Sequence, residues 1–132
     1  MYENHLYKEL TYKIIGAAIS IHKELGPVHK EIVYHNALKQ EFRLKQIPFS
    51  SEKILSVHYK GKLVGTYKPD FIIDDKVVLE IKGIPVIPKS IESLLTYYLK
   101  ATGYKIGLLL NFGARSLELK RRIYEREFKS KI

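Results

Sequence analysis

Two short apolar segments flank one helical segment in the second half of the chain, and this order restricts the fold most. Residues 77–82 and 105–111 are rich in Val, Ile and Leu and have the length of buried strands. Residues 89–102 carry apolar side chains at helical spacing, and Gly103 is a suitable C-terminal stop. A strand, a helix and a second strand in this order join most naturally as a right-handed parallel crossover.

Two helices and a set of strands precede this unit. Apolar residues recur at helical spacing in residues 6–24 and 30–46, and a proline follows each segment. Residues 54–82 change to strand periodicity with polar turns, which predicts an antiparallel meander. Residues 117–123 fit either one more strand or a short helix. The order of elements predicts an α/β (α+β) fold in which helices flank a mixed β-sheet.

The length and composition of the chain narrow its class. A chain of 132 residues suits one domain, which we place at 1–132 with a basic C-terminal tail at about 124–132. The absence of cysteine excludes disulfides, thiolate zinc sites and a cysteine nucleophile, and it allows a cytoplasmic location. No apolar run is long enough for a membrane span, and residues 1–5 lack the pattern of a secretory signal.

The chain carries a large excess of positive charge. It has 23 lysines and arginines against 14 acidic residues, which gives a formal net charge of +9. A surplus of this size favours a polyanionic partner such as nucleic acid, although solubility alone is the alternative explanation. Because no apolar run is long enough to span a membrane, the composition favours nucleic acid over a membrane as the partner.

Three charged residues adjoin or interrupt the first of the two apolar strands. Residues two apart on a strand point to the same face, so Glu80 and Lys82 share one face. If the turn at 74–76 contains three loop residues, Asp70 lies directly opposite Glu80 and joins that face. A two-residue loop would instead pair Asp70 with Leu79 and separate the two carboxylates. The three-residue turn is therefore a specific prediction that the structure can test.

A site of this kind has a metal-binding and a purely structural interpretation. Two adjacent carboxylates repel each other, and Mg²⁺ or Mn²⁺ would relieve the repulsion, with the backbone carbonyl of Ile81 as a further oxygen ligand. Lys82 would then orient or activate the attacking water and stabilise negative charge on a phosphate. The alternative is an ion pair of Asp70 or Glu80 with Lys82 at an exposed end of the sheet. Spacing alone leaves both interpretations open.

The chain also contains six short segments whose order is more specific than any one of them. They are Leu25-Gly26-Pro27, Glu31-Ile32-Val33-Tyr34, Tyr67-Lys68-Pro69-Asp70, Val78-Leu79-Glu80-Ile81-Lys82, Tyr98-Leu99-Lys100-Ala101-Thr102-Gly103 and Gly107-Leu108-Leu109-Leu110-Asn111-Phe112-Gly113. In these segments the sequence resembles the PD-(D/E)xK nuclease superfamily and, more narrowly, the small bacterial GxxExxY family. The resemblance covers roughly residues 8–123.

The resemblance implies a restriction-endonuclease-like core and a nuclease that hydrolyses phosphodiester bonds with Mg²⁺ or Mn²⁺, in DNA in preference to RNA. It implies that Asp70 and Glu80 bind the metal, that Lys82 is the catalytic lysine, and that Glu31 joins the site from a helix. A site role for Glu31 requires the N-terminal end of the second helix to pack against the hairpin. Tyr34 matches the family tyrosine, for which the sequence indicates no role.

The sequence also departs from the family pattern. Val28 stands where the name motif has glycine, Leu94 where the helix after the strand usually has glutamine, and Ile91 where it often has histidine. These departures support an alternative in which the domain is a weak or inactive nuclease-fold module that binds nucleic acid or a protein partner. A homodimer that covers duplex DNA is open in either case. Glu92 is expected to be an exposed charge or a member of a local ion pair.

Overall fold

The computed structural model describes residues 7–125. In this part of the chain the helices are α1 (Lys8–Leu25), α2 (Glu31–Leu44) and α3 (Lys89–Thr102). The strands are β1 (Phe49–Ser50), β2 (Leu55–Tyr59), β3 (Lys62–Tyr67), β4 (Phe71–Ile73), β5 (Val77–Lys82), β6 (Ile106–Asn111) and β7 (Glu118–Ile123). The predicted helices are thus present.

A mixed five-stranded sheet forms the centre of the fold, with the order β1-β4-β5-β6-β7. β5 and β6 run parallel and α3 connects them, so the predicted crossover is confirmed. The other neighbouring pairs are antiparallel. The segment that fitted either a strand or a helix is the edge strand β7. A mixed sheet flanked by helices, as expected for a restriction-endonuclease-like core, is therefore confirmed.

The prediction of one continuous meander is wrong. β2 and β3 pair with each other in a separate two-stranded sheet, and β4 pairs with β1 instead of β3. Most side chains of β2 and β3 are exposed, because these strands lack an apolar face long enough to extend the central sheet. Pro69 follows β3 and has no amide hydrogen with which to continue a ladder. The two-residue strand β1 is too short to give a signal in the sequence.

Different helices cover the two faces of the central sheet. α1 and α2 pack on the face that carries Leu79 and Ile81, whereas α3 packs on the face that carries Val78. Side chains alternate along a strand, so Glu80 and Lys82 point to the α3 face beyond Val78. β5 is buried except at these two positions, which are half-buried. The packing of the helices therefore leaves the charged end of β5 open.

Tyr34 organises the connection between α1 and α2. Its side chain is fully buried and stacks on Phe112, with the ring centroids 4.6 Å apart. Its hydroxyl donates a hydrogen bond to the carbonyl of Gly26 and accepts one of 3.1 Å from the amide of His29. The tyrosine for which the sequence indicated no role thus holds the loop that positions the start of α2.

None of the helices between residues 7 and 125 combines the length and the apolar character that a membrane crossing needs. The predicted basic tail at about 124–132 lies almost entirely outside the described residues. At its start the amide of Tyr124 donates a hydrogen bond of 2.8 Å to the carbonyl of Lys105, which extends the pairing of β7 with the β6 side of the sheet.

Candidate active site

The register of the β4–β5 hairpin decides whether the two carboxylates share a face. Ile73 lies opposite Val77, and the following pairs continue without a shift. The connection therefore has three loop residues, 74–76, as predicted. One step beyond the last ladder pair, this register sets Asp70 opposite Glu80, so both side chains lie on the α3 face.

Asp70 and Glu80 each hold the backbone of the opposite strand. The amide of Asp70 donates to Glu80 Oε1 at 3.2 Å, and the amide of Ile81 donates to Asp70 Oδ2 at 2.8 Å. Both residues are half-buried. The two carboxylates are thus fixed beside each other at the point where the ladder between β4 and β5 ends.

Tyr67, which was not among the predicted site residues, is part of this cluster. Its hydroxyl donates a hydrogen bond to Glu80 Oε2, and its ring stacks on Tyr98 of α3 with the centroids 3.8 Å apart. Strand periodicity could not predict this contact, because β3 lies outside the central sheet and its register gives no relation to β5. The only local signal was the position of Tyr67 shortly before Asp70.

Burial and like charge set the electrostatics of the cluster. Burial raises the pKa of the Glu80 carboxyl to about 7, and the charge of Asp70 acts in the same direction, against the hydrogen bond from Tyr67. Burial and the adjacent Glu80 also raise the pKa of the Tyr67 hydroxyl, which therefore stays protonated and able to donate. Two carboxylates at close quarters, neither of them in an ion pair with a described residue, are the arrangement that a bound divalent ion would stabilise.

The raised pKa of Glu80 makes the stability of the metal-free protein dependent on pH. The folded state keeps this proton up to a pH of about 7, whereas the unfolded chain loses it near 4.5. Glu80 therefore contributes stability at pH 4.5 and below and loses that contribution as the pH rises through 7. In EDTA, the free energy of unfolding of Glu80→Gln minus that of wild type should rise by roughly 2 kcal/mol between pH 5 and pH 8.

Denaturant titrations at several pH values would measure this difference. Glu52 is the control, because it is exposed and its hydrogen bond from Lys68 holds the pKa of its carboxyl below the usual range. The carboxylate of Glu52 therefore contributes stability that is lost as the pH falls. The free energy of unfolding of Glu52→Gln minus that of wild type should show a small trend with pH, opposite in sign to that of Glu80→Gln. A flat difference for Glu80→Gln would show that the carboxyl of Glu80 is not perturbed by its surroundings.

Lys82 does not form the ion pair that was the structural alternative. It is half-buried on the same face as Glu80, yet within the described chain neither Asp70 nor Glu80 lies within ion-pair distance of its ammonium group. The ammonium is thus available to an anion that enters beside Glu80. A simple ion-pair network does not account for the placement of these three residues.

Glu31, in α2, lies beside the C-terminal end of β5. It is the first residue of α2, and its Oε2 accepts a hydrogen bond of 3.1 Å from the amide of Gly83, which follows Lys82 directly. A Cβ atom at Gly83 would lie 3.2 Å from Cγ of Glu31, so the contact is close. The N-terminal end of α2 therefore packs against the end of β5, as a site role for Glu31 required.

The residues present offer a set of oxygen donors for a divalent cation. Among residues 7–125 no three His, Asp or Glu side chains form a group ready to hold a metal ion. The side chains that come together are Asp70 and Glu80. The amide of Phe112 donates to the carbonyl of Lys82, and backbone directions alternate along a strand, so the carbonyl of Ile81 points to the opposite side, toward Asp70. Two carboxylates and a carbonyl are chemically suited to Mg²⁺ or Mn²⁺.

A polar cluster that no sequence pattern predicted fixes the loop after β5. The fully buried Asn111 donates to the carbonyl of Ile84 at 2.7 Å and to Glu118 Oε1 at 2.8 Å, and its Oδ1 accepts hydrogen bonds of 3.0 Å from the amides of Ile84 and Gly113. Glu118 Oε1 also accepts a bond of 3.0 Å from the amide of Ile87. These bonds hold the loop that leads from Lys82 to α3.

Glu92 forms an ion pair, although it is not exposed. It is buried at the start of α3 and pairs with Arg122 of β7. The expectation of an ion pair is confirmed, although its partner is distant in the sequence, and the expectation of an exposed charge is wrong. Burial of a carboxylate is tolerated here because the guanidinium compensates its charge. The pair joins the crossover helix to the edge of the sheet and leaves Glu92 outside the Asp70–Glu80 cluster.

With this geometry established, the family follows from a sequence comparison. The family profile of the PD-(D/E)XK nuclease superfamily matches residues 8–123. The chain belongs to this superfamily. Nucleases of the superfamily generally use divalent metal ions, and they act on nucleic acid. No curated protein matches the sequence significantly.

A solved structure has a similar fold. The crystal structure of SSO0001 superposes with a TM-score of 0.53 at 18% sequence identity and covers 96% of this chain. The chain spans 62% of the length of that protein. At this identity the similarity concerns the fold alone. It agrees with the mixed sheet and flanking helices of the superfamily domain.

Proposed function

We propose that this superfamily domain is a nuclease that hydrolyses phosphodiester bonds with Mg²⁺ or Mn²⁺, with DNA favoured over RNA. One observation carries the proposal: the hairpin register sets Asp70 opposite Glu80, while Lys82 on the same face has no ion-pair partner among residues 7–125. A structural cluster would pair the lysine with a carboxylate. A catalytic cluster leaves all three groups open to a metal ion and a phosphate.

Asp70, Glu80 and the carbonyl of Ile81 would hold the metal ion. Glu31 is the additional carboxylate of the proposal, because α2 carries it to Gly83, next to Lys82. When bound, a divalent cation supplies Lewis-acid polarisation of the phosphate and acidifies water. These ligands are half-buried or at the end of β5, where a substrate can reach them.

The side chains of the protein position the reacting groups. Tyr67 donates to Glu80 Oε2 and restricts the orientation of that carboxylate. The Lys82 ammonium would donate to a phosphate oxygen and offset the negative charge that grows as water adds to phosphorus. The new bond joins the water oxygen to phosphorus, the bond from phosphorus to the leaving sugar oxygen breaks, and that oxygen receives a proton. The net result is hydrolysis of one phosphodiester.

The narrower assignments belong to the same proposal. The spacing from Glu31 to Tyr34 supports membership of the GxxExxY family. The hydrogen bonds of Tyr34 would explain structurally why that family motif contains a tyrosine. We treat residues 1–132 as a single domain, because two hydrophobic clusters on the faces of one sheet account for the described core. A cytoplasmic location, a bacterial origin and a homodimer remain predictions.

A second candidate is a binding module without catalysis. A cavity of about 380 Å³ beside Glu80 and Lys82 has an apolar wall on α3 that includes Ile91 and Leu94. These are the two positions at which the family pattern has polar residues, so the wall offers no hydrogen bond to a phosphate. Such a domain would bind nucleic acid or a protein partner and would not cleave it.

Cleavage assays distinguish these two candidates. Wild type should cut plasmid or single-stranded DNA in Mg²⁺ or Mn²⁺ and should be inactive in EDTA. Asp70→Ala removes a proposed ligand, so it should abolish cleavage and weaken Mn²⁺ binding in calorimetry. Asp75→Ala, an exposed loop aspartate of the same hairpin, is the matched control and should retain activity. Cleavage that survives in EDTA or in Asp70→Ala would contradict the proposal.

A further inference from the structure

The cavity beside Glu80 and Lys82 has two chemically different walls. β5 and the end of β3 contribute the polar wall, with Lys68 and Thr66 next to the two site residues. Helix α3 and β6 contribute the apolar wall, which consists of Ile91, Leu94, Leu95, Tyr98 and Leu109. With about 380 Å³, the cavity falls in the size range of small-molecule sites.

The apolar wall is tied to the site through an aromatic pair and is exposed to solvent at Leu94. Tyr98 stacks on Tyr67, and Tyr67 is in turn held by its hydrogen bond to Glu80, so the aromatic pair is tied to the site. Leu94 lies at the mouth and is 45% exposed, although it is apolar. The exposed side chain of Leu94 would gain hydrophobic stabilisation if it were removed from water, and a ligand with a flat apolar surface would cover it.

We propose that this cavity receives the base and sugar of an unpaired nucleotide adjacent to the bond that is cut, so that the substrate is a single-stranded stretch of nucleic acid. The inference rests on the proposed function and adds the substrate class. The phosphate would lie toward Lys82, and the base would lie against Leu94 and Ile91. A nucleotide has the same division between an anionic end and a planar, largely apolar end.

A paired nucleotide does not fit this chemistry. In a duplex both faces of each base are stacked on neighbours, so a duplex presents its backbone and the edges of its bases, but no base face, to a cavity at the protein surface. The phosphates of a duplex gain nothing from an apolar wall. An unpaired base, in contrast, can leave its stack at small cost and contact apolar and aromatic side chains. Such contacts are worth about 1–3 kcal/mol per base.

Filling the cavity mouth tests the proposal. Leu94→Trp adds a large ring at the mouth, whereas Ser93→Trp adds the same ring at an exposed neighbouring position that does not line the cavity. Fluorescence polarisation in EDTA would compare a labelled single-stranded oligonucleotide with the blunt duplex of the same sequence. Wild type should bind the single strand about tenfold more tightly, and Leu94→Trp should remove most of this preference. Ser93→Trp should behave as wild type.

The outcomes separate this proposal from the nuclease assignment. If no metal supports cleavage but Leu94→Trp still weakens single-strand binding, the nucleotide site stands and the nuclease assignment falls. If wild type cuts DNA but binds duplex and single strand equally well, or if Leu94→Trp binds as Ser93→Trp does, the nucleotide site is overturned and the nuclease assignment stands. Thermal unfolding of both variants, measured alongside, should match wild type because both positions are exposed.

Discussion

Replacing Lys82 with alanine should reduce the rate of phosphodiester cleavage by about 10²–10³-fold, the range typical for loss of one group that stabilises transition-state charge. The ammonium of Lys82 has no acidic partner within the described residues and lies on the face of Asp70 and Glu80, so a phosphate would be its first counter-charge. The loss should fall mainly on kcat, because charge accumulates on the phosphate as water adds. Single-turnover cleavage in Mn²⁺ would measure it.

The metal affinity of the same variant gives a second, independent reading. Lys82 is not among the proposed ligands, so Lys82→Ala should bind Mn²⁺ at least as well as wild type in calorimetry, since a nearby positive charge is removed. Lys76→Ala is the control, because Lys76 lies at the other end of β5, in the exposed loop, and pairs with Asp74. It should leave cleavage unchanged. A Lys82→Ala protein that cleaves at the wild-type rate would remove the lysine from the mechanism.

Gly113→Ala should destabilise the fold more than alanine at any other glycine of the described residues. A Cβ atom at Gly113 would lie 2.3 Å from the amide nitrogen of Ile84 and 2.5 Å from its carbonyl oxygen. These are backbone atoms, so no side-chain rotation relieves the clash. The loop after β5 would have to move, and Asn111 would lose its two hydrogen bonds to Ile84. Overpacking and lost buried hydrogen bonds together should cost about 3 kcal/mol of unfolding free energy.

Gly16→Ala is the matched control for this prediction. Gly16 lies within α1, and a Cβ atom there would meet nothing within 4 Å. Alanine is the better helix former, so this variant should be more stable than wild type by up to about 1 kcal/mol. Urea unfolding of both variants would measure the two changes. Equal stabilities for Gly113→Ala and wild type would mean that the loop after β5 is not held against β6 as the structure shows.

The helices and the hairpin could be predicted because their signals are local. The spacing of apolar residues and Gly103 indicated a helix over 89–102, which is the observed extent of α3. The length of the turn at 74–76 determined whether Asp70 and Glu80 share a face, and turn length is a property of a few consecutive residues. The apolar run at 105–111 predicted the strand after α3, and the helix between the two strands predicted that they pair in parallel.

Contacts between distant segments were decided by the tertiary structure. The sequence predicted one meander, but β1 takes the place beside β4, and β2 and β3 form a separate sheet. Only that arrangement brings Tyr67 to Glu80, and only the packing of α3 against β7 brings Glu92 to Arg122. No periodicity encodes such pairs, because each depends on how separately formed elements pack.

The sequence by itself therefore determined that Glu80 and Lys82 share one face of β5, since strand alternation is local geometry. It made the position of Asp70 depend on the length of one turn, which the structure shows to have three loop residues. The tertiary structure decided that Lys82 has no acidic partner within the described residues, that Tyr67 holds Glu80, and that an apolar wall on α3 faces the charged end of the strand. These features arise where three separate elements meet. Their distances depend on the packing of the whole domain and not on any one segment of the chain.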